Sequence, residues 1–277
     1  MNEWRLKEIT YKIVQDRRYE VAVLPIGAIE PHNLHVPHGA DFFQAEMIAD
    51  IACEKAWNKG AKILLLPAIP YGVDANMIQF PMAMHVSQFV LNQVVMEIMK
   101  SVEAHSIPKF IIVNHHGGNE FKSFVRDLPG KTSLFVTLID SFRVALDIHR
   151  ELFVHDGDHG DESETSICMH LVPHLVHLED ADAGETFKTR FEFLNKGLGY
   201  ISRPWHLFTK NTGVGDPRLA TAEKGKKYVA VITDRMAQYF KELSDTPIDE
   251  TFPYGSEAGE FYRKREKMRT SGDIGHK

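Results

Sequence analysis

The chain has 277 residues, of which 43% are hydrophobic and 25% are charged, and its formal net charge at pH 7 is −6. This composition is typical of a globular protein that is long enough to bury a full core. The acidic balance argues against a nucleic-acid partner, and the longest apolar runs are far too short to cross a bilayer. We therefore expect a soluble protein with no nucleic-acid or membrane partner.

Cysteine and histidine usage point to the kind of chemistry to look for. The two cysteines, Cys53 and Cys168, form no CxxC motif, so we expect core residues rather than a disulfide or a thiolate zinc site. The N-terminal segment has no apolar stretch like that of a signal peptide, and a reducing cytoplasm is the expected location. Histidine, with 15 copies, is well represented and suits metal ligation and proton transfer near neutral pH.

Short apolar runs alternate with longer segments of helical period along the chain. In order, the predicted elements are a strand at 19–26, a helix at 43–58, a strand at 62–66, a helix at 88–104, a strand at 110–113, a helix near 120–127, a strand at 133–139, a helix at about 142–152, a helix at 163–171 and a long amphipathic helix at 220–243. Strands this apolar are typical of parallel strands that are buried on both faces. The alternation predicts a three-layer α/β/α fold with a mainly parallel sheet and right-handed crossovers.

The sequence indicates one domain that spans residues 1–277. It contains no internal repeat, no low-complexity segment and no linker. A charged tail is predicted from about residue 254, and its part from 261 to 269 is dense in Arg, Lys and Glu. We expect this tail to be a solvated helix or an arm that lies on a neighbouring subunit.

The first polar cluster directly follows the first predicted strand, where open α/β sheets bind their ligands. Glu30 and His32 are two residues apart, so their side chains point the same way in an extended backbone. Asp41 comes nine residues after His32, past a turn marked by Pro37 and Gly39. Such a loop suits a zinc, manganese or iron ion. The alternative for Asp41 is the N-cap of the next helix.

Two further clusters lie at corresponding places. One, with the sequence NHHGGN, follows the third predicted strand, and its His116 is a candidate ligand. The other begins a later helix and contains several acidic residues, among them Glu162, together with His159. The helix dipole is the alternative explanation for those acidic residues. A carboxylate and a histidine can instead supply a metal ligand and a proton shuttle. No GxSxG, Walker loop or HExxH motif occurs, which disfavours a serine hydrolase and a nucleotide-driven enzyme.

Together these clusters resemble the creatininase (creatinine amidohydrolase) family. The matching segments, from about residue 20 to 230, are PIGAIEPHNLHVPHGAD, NHHGGN, HGDESETS and GVGDPRLATAEKG. The resemblance implies a three-layer fold, a homo-oligomer such as a hexamer, and a site for two divalent metal ions. Zinc is the expected metal, with manganese and iron as alternatives.

The resemblance also implies a role for each candidate residue. On the family pattern, Glu30, Asp41 and His116 would hold one ion. His32, Asp41 and Glu162 would hold the other, so that Asp41 bridges the two ions. Creatininase itself takes its last carboxylate from the glycine-containing block, and Glu162 matches the alternative position that other members use.

The remaining family positions define the predicted catalysis. His159 aligns with the histidine that passes protons to the leaving group, so His159 and Glu162 are the predicted catalytic residues. At position 118, where creatininase has its carboxylate, this chain has glycine. Residues 71–76 also depart from the usual family run, so the resemblance predicts the class of reaction rather than creatinine as the substrate.

The expected activity is that of a metal-dependent amidohydrolase. A hydroxide that bridges two ions would attack a carbonyl and open a small cyclic amide or a related C–N bond. One alternative is hydrolytic C–C cleavage of a cyclic polyol diketone such as a dehydro-inosose. An alternative of another class is a non-catalytic, metal-stabilised binding or assembly protein, although such a scaffold has no need of His159.

Overall fold

The structure, a computed structural model, describes residues 2–270. Within them a sheet of four parallel strands forms the centre of the fold, and the strand order across the sheet is β2-β1-β3-β4. The strands are β1 Val21–Ile26, β2 Ile63–Leu65, β3 Lys109–Asn114 and β4 Phe135–Asp140. Because all four strands run the same way, their carboxyl ends meet at one edge of the sheet.

Helices connect the strands and cover the sheet. They are α1 Tyr11–Asp16, α2 Ala40–Asn58, α3 Gln88–Ala104, α4 Phe121–Arg126, α5 Leu146–Leu152, α6 Glu162–Leu171, α7 Glu192–Asn195, α8 Trp205–Phe208, α9 Ala222–Asp245 and α10 Ser256–Thr270. Short 3-10 helices lie at Leu6–Glu8, Ser141–Arg143, Pro173–Leu175 and Leu178–Asp180. Within residues 2–270, none of the helices combines the length and apolar character needed to cross a bilayer.

The side chains of β1 alternate between two separate cores, which explains why the whole strand is apolar. Val21 and Val23 belong to a core that includes Ile48 of α2 and Ile232 of α9. Ala22, Leu24 and Ile26 belong to a second core, formed with side chains of α3 and α4. Helices therefore cover both faces of the parallel sheet, and the predicted three-layer α/β/α fold is confirmed.

The long helix α9 packs closely against α2 and α6. Gly225 permits this approach, since a Cβ atom at position 225 would lie only 1.9 Å from the carbonyl oxygen of Ser166 on α6. Among these three helices, α6 and α2 carry acidic residues near their first turns, at the edge of the sheet where the strands end.

Two predicted elements differ from the structure. The strand at 133–139 is half-buried rather than buried on both faces. β4 is an edge strand, and the other edge strand, β2, is buried beside the N-terminal segment, where Leu65 pairs with Arg5. The helix predicted at 142–152 divides into Ser141–Arg143 and α5. Ser141 is bound to the backbone oxygen of Asn114 and to the ring of His115, which ties this first turn to the end of β3.

The charged tail is only partly covered by the structure. Its described part contains α10, whose side chains are mostly exposed within this chain. Residues 271–277 of the predicted tail lie outside the described residues.

Candidate metal centre

Acidic and histidine side chains from three segments converge beyond the carboxyl ends of the strands. The loop after β1 supplies Glu30 and His32, and the first turn of α2 supplies Asp41; the loop after β3 supplies His116. All four are buried. Four of the five predicted metal ligands therefore lie in one cluster, at the sheet edge where ligands are expected.

Asp41 lies between two imidazoles. Its Oδ1 is 3.1 Å from Nε2 of His32, and its Oδ2 is 2.7 Å from Nδ1 of His116. Each oxygen of this carboxylate thus faces a different histidine. A carboxylate in this position can bridge two cations, each held by one of the two rings.

Backbone contacts fix which nitrogen of His32 faces the cluster. Its Nδ1 lies 3.0 Å from the carbonyl oxygen of Glu30, which only accepts hydrogen bonds, so Nδ1 carries the proton. Nε2 is therefore the nitrogen that faces the carboxylates and that would bind a cation. A ring nitrogen that donates to a carbonyl while the other faces acidic groups is the usual arrangement of a histidine that binds a metal.

The NHHGGN turn aims His116 at the same point. Asn114 donates to the His116 carbonyl oxygen at 3.0 Å, and Asn119 donates to Asn114 at 3.0 Å. A Cβ atom at position 118 would lie 2.4 Å from both His116 Nε2 and the Val73 carbonyl oxygen. Position 118 therefore accepts only glycine in this structure, and it offers no space for a carboxylate ligand.

The fifth predicted ligand, Glu162, lies outside this cluster. Its carboxylate contacts Lys224 of α9 and accepts hydrogen bonds from the backbone nitrogens of Val154 and His155, at 2.9 and 3.1 Å. Although burial alone would raise the pKa of Glu162, these contacts hold it below its usual value. Among the described residues, Glu162 is in none of the groups whose potential ligand atoms lie within 4.8 Å of each other.

Glu164 occupies the place that was predicted for Glu162. Its Oε2 is 3.7 Å from Nε2 of His32, and it forms such a group with His32 and Asp41. The same oxygen accepts a hydrogen bond from the Gly160 backbone at 2.6 Å. Residues two apart on a helix point about 200° apart, so only one of the two glutamates can face the cluster.

A further acidic residue, Asp74, was not among the predicted ligands. It follows β2, is only 1% exposed, and forms a third group with Glu30 and His116. Its Oδ1 lies 3.0 Å from Nε2 of His116. The only sequence signal for Asp74 was its place in a loop after a strand, because no recognisable motif surrounds it.

The buried charges shift each other's pKa values strongly. Burial first, and then the neighbouring carboxylate of Asp41, raises the pKa values of both Glu30 and Glu164 to about 8. Burial would lower the pKa of His32, but Asp41 and Glu164 outweigh it and raise that pKa to about 10. Despite burial, the imidazoles of His32 and His116 hold the pKa of Asp41 well below its usual value.

This donor set fits divalent metal ions. It combines buried carboxylate oxygens with imidazole nitrogens, which are ligands of zinc and manganese in proteins. Both carboxylate oxygens of Asp74 lack a hydrogen-bond partner among the described residues, and a buried carboxylate without partners is costly. Cations between these groups would offset the mutual repulsion of three buried carboxylates and the half-buried Glu164.

His159 lies against the cluster and is held on several sides. Its Nε2 lies 2.9 Å from the Pro31 carbonyl oxygen, and its ring stacks on His32 at 4.0 Å and contacts Trp205 at 4.7 Å. Its backbone pairs with Val214 in the GVGD segment. Burial and the neighbouring charge of His32 hold the pKa of His159 well below its usual value. Nδ1 of this ring faces Glu30, with 3.7 Å to its Oε1.

Comparison with known families identifies the family of this chain. A family model described as creatininase, creatinine amidohydrolase, matches residues 7–240. The chain belongs to the creatininase family. The match includes every residue of the cluster, from the loop after β1 to His159 and Glu164.

Curated relatives of this chain are named as hydrolases of C–N bonds. The mycofactocin precursor peptide peptidase of Mycobacterium tuberculosis is 25% identical over 218 residues, which are 76% of this chain and 81% of the relative. A 2-amino-5-formylamino-6-ribosylaminopyrimidin-4(3H)-one 5'-monophosphate deformylase of Methanobrevibacter smithii is 27% identical over 162 residues, or 58% of this chain and 64% of that protein. These names support an enzyme.

Solved structures share the fold. A Bacteroides fragilis protein named as a provisional creatinine amidohydrolase superposes with a TM-score of 0.84, is 32% identical, and is matched over 90% of this chain and 100% of its own. A creatininase variant of the Zn–Zn type gives a TM-score of 0.72 at 19% identity, over 87% and 98% of the two chains. A manganese creatininase, also at 0.72 and 19%, covers 88% and 99%. At 19% identity, creatininase itself is similar in fold alone.

Proposed function

We propose that this creatininase-family protein is a metal-dependent amidohydrolase that cleaves a C–N bond of a small molecule. The observation behind the proposal is the position of Asp41, whose two oxygens face His32 and His116 from opposite ends of one carboxylate. Such an arrangement suits two divalent ions that share a bridging ligand.

In the proposed ligand sets, Glu164 takes the role predicted for Glu162. Glu30, Asp41 and His116 would hold one ion, and His32, Asp41 and Glu164 would hold the other. When bound, the ions would supply Lewis acidity, which lowers the pKa of water and polarises a substrate carbonyl. Zinc and manganese are the proposed metals, because the donors are a mixture of imidazoles and carboxylates.

His159 is the proposed carrier of the proton that moves during hydrolysis. Its Nε2 donates to the Pro31 carbonyl oxygen, so Nδ1 is the nitrogen that can exchange a proton with the site. Nδ1 would accept a proton from the attacking water and give it to the leaving nitrogen as the C–N bond breaks. The attacking oxygen stays on the carbonyl carbon, and the products are a carboxylic acid and an amine.

The activities named for the relatives favour a carboxamide over a cyclic diketone. A peptidase and a deformylase both separate a carbonyl carbon from a nitrogen. The proposed substrate class is therefore a small amide, with cyclic amides as the first candidates. C–C cleavage of a cyclic polyol diketone stays as the second hypothesis.

One experiment tests the proposal. The purified protein is assayed, before and after chelation and after addition of Zn²⁺ or Mn²⁺, on cyclic amides, N-formyl amines, short peptides and inositol-derived ketones. We expect hydrolysis of an amide that stops on chelation and returns with metal. Cleavage of a ketone but no amide would support the second hypothesis, and an ion-loaded protein inactive on the whole panel would favour a binding role.

A further inference from the structure

We infer that Asp74 is a positioning residue, whose carboxylate holds the outer nitrogen of His116 so that the inner nitrogen faces the ion-binding cluster. The inference rests on the proposed function, because it takes His116 to be a metal ligand. Asp74 lies outside both of the ligand sets proposed above.

The two nitrogens of His116 face opposite ways. Nδ1 lies 2.7 Å from Asp41 Oδ2 and 3.1 Å from Glu30 Oε1, which makes it the inner nitrogen. Nε2 lies 3.3 Å from the Val73 carbonyl oxygen and 3.0 Å from Oδ1 of Asp74. Because both of these outer neighbours only accept hydrogen bonds when Asp74 is ionised, Nε2 carries a proton, and Nδ1 is the nitrogen that would bind an ion.

The carboxylate of Asp74 lies beside the ring of His116. Both of its oxygens are buried and lack an aligned hydrogen-bond partner among the described residues, and Oδ1 lies 3.0 Å from Nε2 of His116. Their burial also keeps a substrate from reaching them. A direct role in substrate recognition is therefore less consistent with the structure than a role behind the imidazole.

The backbone around Asp74 is held firmly in place. Its own N–H group donates to Nδ1 of His85 at 3.1 Å, and the N–H group of Val73 donates to Oδ1 of Asn119 at 3.1 Å. Asn119 in turn donates to Asn114 at the end of β3. The turn that carries His116 and the segment that carries Asp74 are thus joined by direct hydrogen bonds.

A carboxylate behind a metal-binding histidine fixes the tautomer and the orientation of the ring and makes its inner nitrogen more basic. Loss of such a partner lowers metal affinity by about 10-fold to 100-fold. The effect should fall on the ion held by Glu30, Asp41 and His116. The ion held by His32, Asp41 and Glu164 has no contact with Asp74 and should keep its affinity.

The test titrates the metal-free full-length protein with Zn²⁺ in competition with a chromophoric chelator. Asp74→Asn keeps an oxygen that can accept from Nε2 but removes the charge, whereas Asp74→Ala removes both. We expect one of the two Zn²⁺ affinities to fall by about 10-fold to 100-fold, more in Asp74→Ala than in Asp74→Asn. Asp50→Asn, which alters a half-buried carboxylate bound by Trp4 and Arg5, should leave both affinities unchanged.

Each other outcome contradicts the inference in a distinct way. Wild-type affinities in both Asp74 variants would remove the positioning role and leave the proposed function intact. Complete and equal loss of one ion in both variants would make Asp74 a direct ligand instead. A wild-type protein that binds no Zn²⁺ would contradict the proposed function and this inference together. Thermal unfolding of the metal-free variants shows that they are folded, and Asp74→Asn alone decides the question if Asp74→Ala does not fold.

Discussion

The carboxylate of Glu164 lies 3.7 Å from Nε2 of His32, which joins the first turn of α6 to the loop that follows β1. Glu162, two positions earlier, faces the other way and contacts Lys224 of α9. These two glutamates on one helical turn therefore differ in their contacts. Glu164 is part of the candidate metal centre, and Glu162 joins α6 to α9.

The first prediction concerns Asp41, the proposed bridge. Asp41→Asn removes the charge that both ions would share, so we expect the protein to lose both ions rather than one. Hydrolysis should fall by roughly a thousandfold or more, since the Lewis acid contributes several kcal/mol. Metal content after gel filtration and kcat/KM measure the two effects. Retention of both ions and of wild-type activity would contradict the bridging role.

The second prediction separates proton transfer from metal binding at His159. His159→Gln should lower kcat by about 10²-fold to 10⁴-fold, because the proton carrier is lost. The number of bound ions should not change. His105→Gln, at an exposed histidine after α3, is the matched control and should behave as the wild type. Loss of an ion in His159→Gln would contradict this prediction and make His159 a metal ligand. Its potential ligand atom lies within 4.8 Å of those of Glu30 and His32, which is compatible with that role.

The third prediction concerns the pair formed by Glu162 and Lys224. Glu162 is fully buried, so Lys224→Met leaves its carboxylate without a charged partner. We expect the free energy of unfolding to fall by about 1–3 kcal/mol, less than for a fully buried pair because Lys224 is partly exposed. The double variant with Glu162→Gln should be more stable than Lys224→Met alone. Urea unfolding of the wild type, the two single variants and the double variant tests this. If the losses of unfolding free energy in the single variants add up in the double variant, the two residues are not a coupled pair.

The fourth prediction concerns pH and His35. Burial, and then the charge of His32, lowers the pKa of His35 from 6.5 to about 4 in the folded protein. Between these values the unfolded chain binds more protons than the folded one, so the stabilising contribution is complete above about pH 6.5 and is lost as the pH falls towards 4. Over this interval the wild type should lose on the order of 2–3 kcal/mol more than His35→Gln. The measurement is the free energy of unfolding of both proteins as a function of pH. Parallel curves for the two proteins would contradict the prediction.

Much of the fold could be predicted because local patterns and tertiary structure agree. β1 and β3 are apolar on both faces, and the structure buries both faces between helices. β4 could not be distinguished from them by its sequence, because its partial exposure depends on tertiary neighbours at the edge of the sheet, and β2 at the other edge is buried. The short helix α1 was not predicted, since six residues carry little periodic signal.

Most of the candidate site could be predicted from motifs near the ends of strands. Glu30, His32 and His116 follow strands directly, and Asp41 begins the next helix. The choice between Glu162 and Glu164 depends on where Lys224 of α9 lies, which is a tertiary contact that spacing within α6 does not reveal.

Asp74 could not be predicted from the sequence, for a similar reason. It follows β2 through an irregular loop, and its closeness to His116 depends on the adjacent positions of β1, β2 and β3 in the sheet. Chain separation conceals such a pair from a motif search, whereas the fold brings the two residues within hydrogen-bond distance.

The most direct test of the central claim is the number of Zn²⁺ ions per chain in three proteins: the wild type, Glu164→Gln and Glu162→Gln. Each is stripped of metal, reloaded, gel-filtered and analysed by mass spectrometry. The account predicts two ions in the wild type, two in Glu162→Gln, and loss of an ion in Glu164→Gln. Two ions in Glu164→Gln together with loss in Glu162→Gln, or no ion in the wild type, would contradict it.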